Sequence, residues 1–379
     1  MKKKYPVDKI KSGTTFTADA YMDADNLLVP AGVPVRAKDL DSLKQWGITY
    51  VYSEGSQVEP EAHKKEATHA KRGLAAFVDH KLYSEYADMV DRLKAIMDKI
   101  SLAEKIEAKT VDRLAQDVLA MVRIRDSQIV SAILSADVHG YDLARAGINC
   151  SILSVIMGQT LKLPAHRLTH LAAGAMLHDV GMLRIPEVIV KKKGSLSPEE
   201  AQKMHAHPLL SYRIITRELQ YPDDVGLIGL QHHERWDGGG YPRRSAGADI
   251  DILARIASVA DAFEAMVSHK PYRNSMIGYA AMKNLLSDNS RRFDPDVLKA
   301  FIRSMGIYPI GSLVVLNNAA IARVLETHAD APLRPKIKII VDEFGKHFKD
   351  DTGEQLDLLS EKTLFIARAI DPKELEAAP

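Results

Sequence analysis

Residues 232–242 read HHERWDGGGYP, and this stretch decides how the rest of the chain is interpreted. It places two adjacent histidines and a glutamate before a run of three glycines, with three residues between. Imidazole and carboxylate groups are common metal ligands. Glycines allow a backbone to approach a ligand closely. The stretch therefore predicts a metal site beside a glycine-rich loop.

Three further clusters on either side supply donors of the same kind. His178-Asp179 ends an apolar helical run, and Asp261 follows the apolar stretch 257–260. A charged carboxylate after a buried helix is costly unless it is paired or bound to a cation. His207-Pro208 supplies another imidazole. Taken alone, a histidine is more often a surface or core residue and such an aspartate more often a helix cap, so the joint order carries the inference.

A cluster of imidazoles and carboxylates suits the hydrolysis of a phosphodiester. That reaction needs a strong nucleophile and positive charge near the phosphoryl oxygens. Two cations about 4 Å apart provide both, by activating a water and by clamping the oxygens. Such a centre needs at least one carboxylate that bridges the cations.

The motifs resemble those of the HD-GYP branch of the HD-domain phosphohydrolases. The resemblance covers residues 136–305 in unbroken order, and its first motif is His178-Asp179. The others are Arg184-Ile185-Pro186, Leu196-Ser197-Pro198-Glu199-Glu200, HHERWDGGGYP, Ala254-Arg255-Ile256, Pro271-Tyr272-Arg273 and Phe293-Asp294-Pro295.

The resemblance implies a helical bundle around two or three divalent cations, iron or manganese, and cyclic di-GMP as the substrate. Asp179 would bridge two cations and, with Glu264, take part in catalysis. Glu264 stands where the family usually has aspartate. The implied metal ligands are His178, Asp179, His207, His232, His233, Asp261 and Asp142. The implied substrate-binding residues are Gly239, Gly240, Tyr241, Pro242, Lys270 and Arg273.

The chain departs from the family pattern at two positions. The family has a further histidine ligand where this chain has Ala146, and alanine cannot bind a metal. Asp142 lies one helical turn earlier and is expected to share that helix face, where it would partly compensate. The family also has a lysine where this chain has Met182, which removes a charge expected to face a substrate phosphate.

Composition and patterning divide the chain into four parts. Residues 1–56 predict a small α+β accessory module, with strands near 26–29, 33–35 and 49–52 around a helix at 38–46. Residues 57–135 predict a charged helical linker that supports a homodimer, and 136–305 the HD-GYP domain. Residues 306–379 predict a β-rich appendage, with strands near 312–316, 321–325, 337–341 and 364–370. The predicted fold class is mainly α, with a small module at each end.

Bulk properties narrow the class of protein. No run of about 18 apolar residues exists, which argues against membrane insertion. The single cysteine, Cys150, and a start without an apolar signal segment favour the cytoplasm. The net charge of +1 gives no case for binding duplex nucleic acid. Cys150 reads as a small core residue. His205, two residues before His207 on a predicted helix, is expected to point away from the site.

We expect a cytoplasmic phosphodiesterase that opens cyclic di-GMP to linear pGpG or GMP, with activity weakened by Ala146 and Met182. Two alternatives stay open. One is a degenerate site that binds cyclic di-GMP without cutting it. The other is an HD hydrolase of a different phosphorylated nucleotide.

Overall fold

The chain divides into two units, Met1–Arg72 and Gly73–Pro379. The computed structural model describes residues 3–11, 14–22, 27–29, 35, 39–40, 43, 48–58, 80–135, 142–192, 194–268, 278–287, 291–348 and 352–370. Most of the predicted strand at 33–35 and most of the predicted helix at 38–46 lie outside these residues.

Short antiparallel strands build the first unit. They are β1 (Lys3–Pro6), β2 (Thr15–Phe16), β3 (Ala20–Tyr21), β4 (Leu27–Val29), β5 (Tyr50–Ser53) and β6 (Gln57–Val58). One sheet has the order β1-β5-β3-β4, and β2 pairs with β6. Phe16 and Val51 are fully buried in its core, and Tyr5 packs edge-on against Phe16.

A long helical pair begins the described part of the second unit. Helix α1 spans His80–Ser101 and α2 spans Ala108–Ser135. Apolar side chains recur at helical spacing on α1, so that Leu82, Tyr86, Leu93 and Ile100 are buried while the intervening charges face solvent. This pair packs on the next two helices and belongs to the same hydrophobic core.

Two helices form the centre of the bundle, α3 (Leu143–Thr160) and α4 (Ala165–Leu177). Helix α3 is buried on nearly every face, which explains why it carries almost no charge. The two helices approach closely at Gly147, where an added Cβ would lie 2.5 Å from the Met176 carbonyl oxygen. Helix α4 ends at His178, and this places the first donors of the site beside the core.

Short helices follow and surround the site. They are a 3-10 turn (Val180–Arg184), α5 (Glu187–Val190), α6 (Pro198–Met204), α7 (His207–Arg213) and α8 (Asp223–Gln231). Helix α6 begins with a capping box, in which Ser197 and Glu200 satisfy each other's backbone N–H groups. A π-helical turn, Ile214–Glu218, extends α7.

Three further helices complete the bundle: α9 (Ile252–Val267), α10 (Gly278–Ser287) and α11 (Pro295–Met305). Asp294 caps α11 and pairs with the Arg255 guanidinium at 2.7 Å, which ties α11 to α9. Phe263 and Phe301 meet edge-on between the same two helices. Helix α9 therefore has a fixed position, and it carries Asp261 and Glu264.

The C-terminal segment is an antiparallel sheet of five described strands. They are β7 (Leu313–Leu316), β8 (Ile321–Glu326), β9 (Lys336–Val341), β10 (Gln355–Asp357) and β11 (Ile366–Ile370), in the order β10-β9-β8-β7-β11. Its own core includes Val314, Val324 and Ile337. The stacked rings of Tyr279 and Tyr308, 5.2 Å apart, join α10 to this core.

The predicted fold class is confirmed: the chain is mainly helical, with a small sheet module near each end. Four predicted C-terminal strands agree with β7, β8, β9 and β11. The short strand β10 was not predicted. Within the described residues, no helix is both long enough and apolar enough to cross a membrane.

Candidate metal centre

His178 is the C-cap of α4 and is almost completely buried. Its Nδ1 lies 2.7 Å from the carbonyl oxygen of Ala175, one turn back along the same helix. A carbonyl can only accept, so Nδ1 carries the proton of the neutral ring. The lone pair of Nε2 is therefore turned inward, toward the neighbouring carboxylates.

His207 and His232 are oriented in the same way. Nδ1 of His207 lies 2.7 Å from the Met204 carbonyl oxygen, and Nδ1 of His232 lies 2.9 Å from the Gly229 carbonyl oxygen. Both rings are buried. Histidines that bind metals usually donate their second ring N–H to a carbonyl or carboxylate, which fixes the tautomer and the ring direction.

Asp179 lies where these three rings converge. Its Oδ1 is 3.2 Å from Nε2 of His207 and 3.4 Å from Nε2 of His232, while Oδ2 is 3.7 Å from Nε2 of His178. Single donor atoms from Asp179, His207, His232 and His233 lie within 4.8 Å of one another. Four such donors at these separations can surround one cation.

The convergence of the rings leaves polar atoms that need a partner. Within the described residues, Nε2 of His178, His207 and His232 are buried and have no hydrogen-bond partner. A buried polar atom without a partner costs roughly 1–3 kcal/mol. Divalent cations would satisfy these atoms, since each atom offers an in-plane lone pair. The residues present thus fit a metal.

A second group of donors adjoins the first and shares Asp179. Oδ1 of Asp261 lies 3.6 Å from Nε2 of His178, and Oδ2 of Asp179 lies on the same side. Asp179 is the residue between the two groups, with one oxygen toward His207 and the other toward His178. This is the arrangement expected of a bridging carboxylate.

The close packing of the backbone after Asp179 requires glycine at position 181. A Cβ added at Gly181 would overlap the carbonyl oxygen of His207 and lie 2.5 Å from the Ser211 nitrogen. The Gly181 N–H donates to the Ser211 hydroxyl at 2.8 Å. Gly181 therefore lets the turn after Asp179 lie directly against the helix that carries His207.

Charges in the cluster shift the pKa values of its histidines. Burial lowers the pKa of His178 and of His207, but their neighbours outweigh burial and hold both pKa values above the usual range. Cys150 is one such neighbour of His178, yet burial raises the pKa of its thiol. That thiol is neutral near pH 7, so we attribute the effect on His178 to Asp179 and Asp261.

The pKa values of the other ionisable groups shift in the directions that favour their metal-binding forms. Burial lowers the pKa of His232, and burial together with the adjacent His232 lowers that of His233 well below its usual range. Burial alone would raise the pKa of Asp179 and of Asp261, but the surrounding imidazoles reverse this and lower both. The carboxylates are ionised and these two histidines neutral near pH 7.

The glycine-rich loop is fixed against the site. The buried Glu234 accepts a hydrogen bond from the Arg243 N–H at 2.7 Å. A Cβ added at Gly240 would lie about 2.6 Å from Glu234 Cα and from the His233 carbonyl oxygen, so only glycine fits there. Gly239 is exposed, and Pro242 follows Tyr241 at the exposed end of the loop. The ring of Tyr241 stacks on that of His233.

Glu264 is buried one turn after Asp261 on α9. Its Oε1 accepts hydrogen bonds from Asn149 Nδ2 at 3.2 Å and from the Ser268 hydroxyl at 2.5 Å. Asn149 in turn accepts from the Tyr86 hydroxyl at 2.7 Å. Glu264 therefore lies in a buried hydrogen-bonded chain that reaches α1, a connection that the sequence did not reveal.

The structure describes both positions at which the chain departs from the family pattern. Ala146 is buried on α3, and Met182 is half-buried in the turn after Asp179. Asp142 is the N-cap of α3, where Oδ1 accepts from the N–H groups of Ala144 and Arg145. The four-donor group found among the described residues does not include Asp142. Its role as a ligand stays a prediction.

As expected, His205 is not among the four clustered donors, but the single helix predicted to carry both His205 and His207 is not found. His205 ends α6, and a new helix begins at His207, so the two residues do not share one helix. The His205 ring stacks on Tyr241 with centroids 4.1 Å apart. The predicted substrate residues Lys270 and Arg273 lie outside the described residues and stay predictions.

Comparison with known proteins identifies the segment that carries this site. Residues 128–297 match the family model of the HD domain. This segment is an HD domain. Residues 313–378 match a KOW domain associated with HD domains, which agrees with the C-terminal sheet. The resemblance inferred from the motifs is confirmed.

Curated relatives of the HD domain are bacterial. The chain is 29% identical over 238 residues to a cyclic di-GMP phosphodiesterase of Pseudomonas aeruginosa, covering 63% of this chain and 57% of the relative. It is 29% identical to the phosphodiesterase PdeB of Borreliella burgdorferi, covering 60% of each. A 3'3'-cGAMP-specific phosphodiesterase of Vibrio cholerae is 34% identical over 33% of this chain and 24% of the relative. The chain thus spans less than two thirds of the length of these relatives.

Proposed function

We propose that the protein is a metal-dependent phosphodiesterase that hydrolyses cyclic di-GMP to linear pGpG or GMP. The observation that carries this proposal is the convergence of three buried Nε2 atoms on Asp179. A buried cluster of this kind is costly without a cation. The substrate is proposed from relatives named as cyclic di-GMP phosphodiesterases.

The proposed metal ligands form two groups around Asp179. One group is His207, His232 and His233, and the other is His178 and Asp261. Divalent cations, when bound, supply positive charge for the phosphoryl oxygens and lower the pKa of a water. A mixed set of imidazoles and carboxylates suits iron or manganese. We propose two cations, with a third only if Asp142 turns from its capping role to ligation.

The chain's own residues orient the reacting groups. Asp179 directs its two carboxylate oxygens to different sides of the centre. The carbonyls of Ala175, Met204 and Gly229 hold the imidazoles in the tautomer that presents Nε2. Glu264 is buried one turn after Asp261. There its carboxylate would accept or donate a proton, or hold a metal ligand of the site in place.

The proposed substrate surface is the loop that contains Gly239, Gly240, Tyr241 and Pro242, together with Lys270 and Arg273. Guanidinium geometry suits a phosphate better than ammonium does. Met182 leaves one expected phosphate contact unfilled. We therefore propose slower turnover than a site with lysine there would give.

Two other functions have specific support. Loss of a ligand at Ala146 and of a charge at Met182 favours a receptor that binds cyclic di-GMP without cutting it. Similarity to a 3'3'-cGAMP-specific phosphodiesterase favours a different cyclic dinucleotide. Both alternatives keep the same centre and differ only in substrate or in turnover.

A nucleotide panel tests these three functions. The full chain, supplied anaerobically with Fe²⁺ or Mn²⁺, is incubated with cyclic di-GMP, 3'3'-cGAMP and linear pGpG, and products are separated by chromatography. Preferential cleavage of cyclic di-GMP supports the proposal. Preferential cleavage of 3'3'-cGAMP supports the other hydrolase. Binding of cyclic di-GMP by calorimetry, without product at any metal concentration, identifies a receptor.

We also propose a role for each of the four parts of the chain. Residues 1–56 would be an accessory module, 57–135 a linker, 136–305 the catalytic domain and 306–379 an appendage. The linker exposes Leu102, which follows α1, and Ile124 on α2, and a homodimer would bury both. Light scattering of the full chain tests that assembly. We also propose a cytoplasmic location, and no role for duplex nucleic acid.

A further inference from the structure

His233 is held differently from the other histidines of the centre. His178, His207 and His232 each place Nδ1 within hydrogen-bond distance of a carbonyl in the preceding turn. Among the described residues, no such carbonyl partner is found for the His233 ring, which is also only partly buried. The contacts that the structure shows for its ring are with neighbouring rings, those of His207, His232 and Tyr241.

The ring of Tyr241 supplies the main flat contact. Its centroid lies 4.8 Å from that of His233, with an angle of 28° between the planes. The His207 ring meets His233 at 90° from another side, with centroids 5.0 Å apart. His232 lies 4.0 Å away at 44°. The flat contact limits rotation of the His233 imidazole about its side-chain bonds.

Tyr241 is itself covered by His205. The centroids of these two rings are 4.1 Å apart and their planes differ by 22°. His205 and His233 are both nearly parallel to Tyr241 and close to it. Two rings cannot occupy one face of the phenol, so they lie on opposite faces. The three rings form a stack in the order His205, Tyr241, His233.

The backbone fixes the other two members of the stack. The Tyr241 N–H donates to the His233 carbonyl oxygen at 3.3 Å, and Gly240 allows that close approach. The His205 N–H donates to the Ala201 carbonyl oxygen at the end of α6. The stack therefore joins the end of α6 to the loop beside the centre.

We propose that His205 and Tyr241 are positioning residues, which hold the His233 imidazole in the direction needed to bind a cation. This inference rests on the proposed metal centre. His205 would act only through Tyr241, without touching metal or substrate. Residues that orient a metal ligand typically contribute about 10- to 100-fold to metal affinity.

The test is the affinity of the full chain for Mn²⁺, measured by calorimetry or by the loss of the free Mn²⁺ resonance signal. His205→Ala is expected to weaken binding about 10-fold, and Tyr241→Leu about 10- to 100-fold. Tyr241→Phe and His205→Phe keep a flat ring and should stay within about 3-fold of the unmodified protein.

His166→Ala is the matched control. It removes an exposed histidine that also contacts another ring, that of His170, and it should leave Mn²⁺ affinity unchanged. Thermal melts of each variant establish that it is folded. His205 is exposed, so its removal should leave the fold intact.

A double-mutant cycle identifies the route of the effect. In a His233→Ala background, His205→Ala should have no further effect on Mn²⁺ affinity. An undiminished effect there overturns the proposal, as does unchanged affinity in His205→Ala alone. Absence of Mn²⁺ binding by the unmodified chain overturns the metal centre as well. Absence of cyclic di-GMP cleavage by a chain that binds Mn²⁺ affects only the proposed function.

Discussion

The Tyr86 hydroxyl donates a 2.7 Å hydrogen bond to Oδ1 of Asn149, and both side chains are almost completely buried. This contact joins α1 to the helix at the centre of the bundle. Nδ2 of Asn149 in turn donates a hydrogen bond to Oε1 of Glu264, which lies one turn from Asp261. The linker helix is therefore connected through hydrogen bonds to the helix that carries a proposed metal ligand.

Tyr86→Phe should lower the free energy of unfolding by about 1–3 kcal/mol, because it leaves Oδ1 of Asn149 buried without a partner. Chemical denaturation measures the change. Tyr83→Phe is the matched control, since Tyr83 lies on the same helix with 47% of its surface exposed. Equal effects of the two substitutions would show that the buried hydrogen bond contributes little.

Gly240→Ala and Gly239→Ala form a second matched pair. At Gly240 the new Cβ would lie 2.5–2.6 Å from backbone atoms of residues 233–235, so the loop must move. We expect destabilisation by about 1–3 kcal/mol and weaker Mn²⁺ binding. At Gly239 the nearest atom, 3.1 Å away, belongs to the Asp237 side chain, which can shift.

Gly239→Ala should therefore change stability by less than about 1 kcal/mol. Thermal melts and Mn²⁺ titrations of both variants check the contrast. A Gly240→Ala protein with unchanged stability and affinity would show that the loop is not held as closely as the geometry indicates.

Metal binding should release protons. The neighbouring carboxylates hold the pKa values of His178 and His207 above the ordinary value of about 6.5, so each ring holds its second proton more readily than an ordinary histidine does. Coordination requires neutral imidazole. His232 and His233, with lowered pKa values, have no proton to lose there.

We therefore expect a net release of protons when a cation binds at pH 7, and a metal affinity that rises as the pH is raised above about 6.5. Calorimetry in buffers of different ionisation enthalpy counts the protons. Proton uptake, or an affinity that falls over this pH range, would contradict the charge states assigned to the cluster.

Ala146→His should restore a ligand on α3. We expect more Mn²⁺ per chain by elemental analysis and about 10-fold faster cleavage of cyclic di-GMP. Met182→Lys should instead lower KM, because it adds a phosphate contact and no metal ligand. If neither variant differs from the unmodified chain in metal content or kinetics, the two departures do not limit this site.

The helices of the centre could be predicted because their apolar residues recur at helical spacing and their donors follow in a recognisable order. The order of all the motifs, from His178-Asp179 through residues 232–242 to Phe293-Asp294-Pro295, identified the HD domain. The antiparallel strands β7, β8, β9 and β11 are rich in β-branched residues, which made them visible. Strand β10 is three residues long and two of the three are polar, so no pattern marked it.

The orientation of side chains could not be predicted in the same way. The argument that His205 points away from His207 assumed one continuous helix, but the chain turns between α6 and α7. The contact between Tyr86 and Asn149 joins residues 63 positions apart, and no local pattern encodes it. The capping role of Asp142 also depends on where α3 begins, which sequence patterns locate only to within a few residues.

The most direct test of the account is to measure metal content and cyclic di-GMP turnover on one anaerobic preparation of the full chain supplied with Mn²⁺ or Fe²⁺. The account predicts about two metals per chain, a linear product, and loss of both in Asp179→Asn, because this residue contacts both groups of ligands. A chain that holds no metal, or cleavage that persists unchanged in Asp179→Asn, would contradict it.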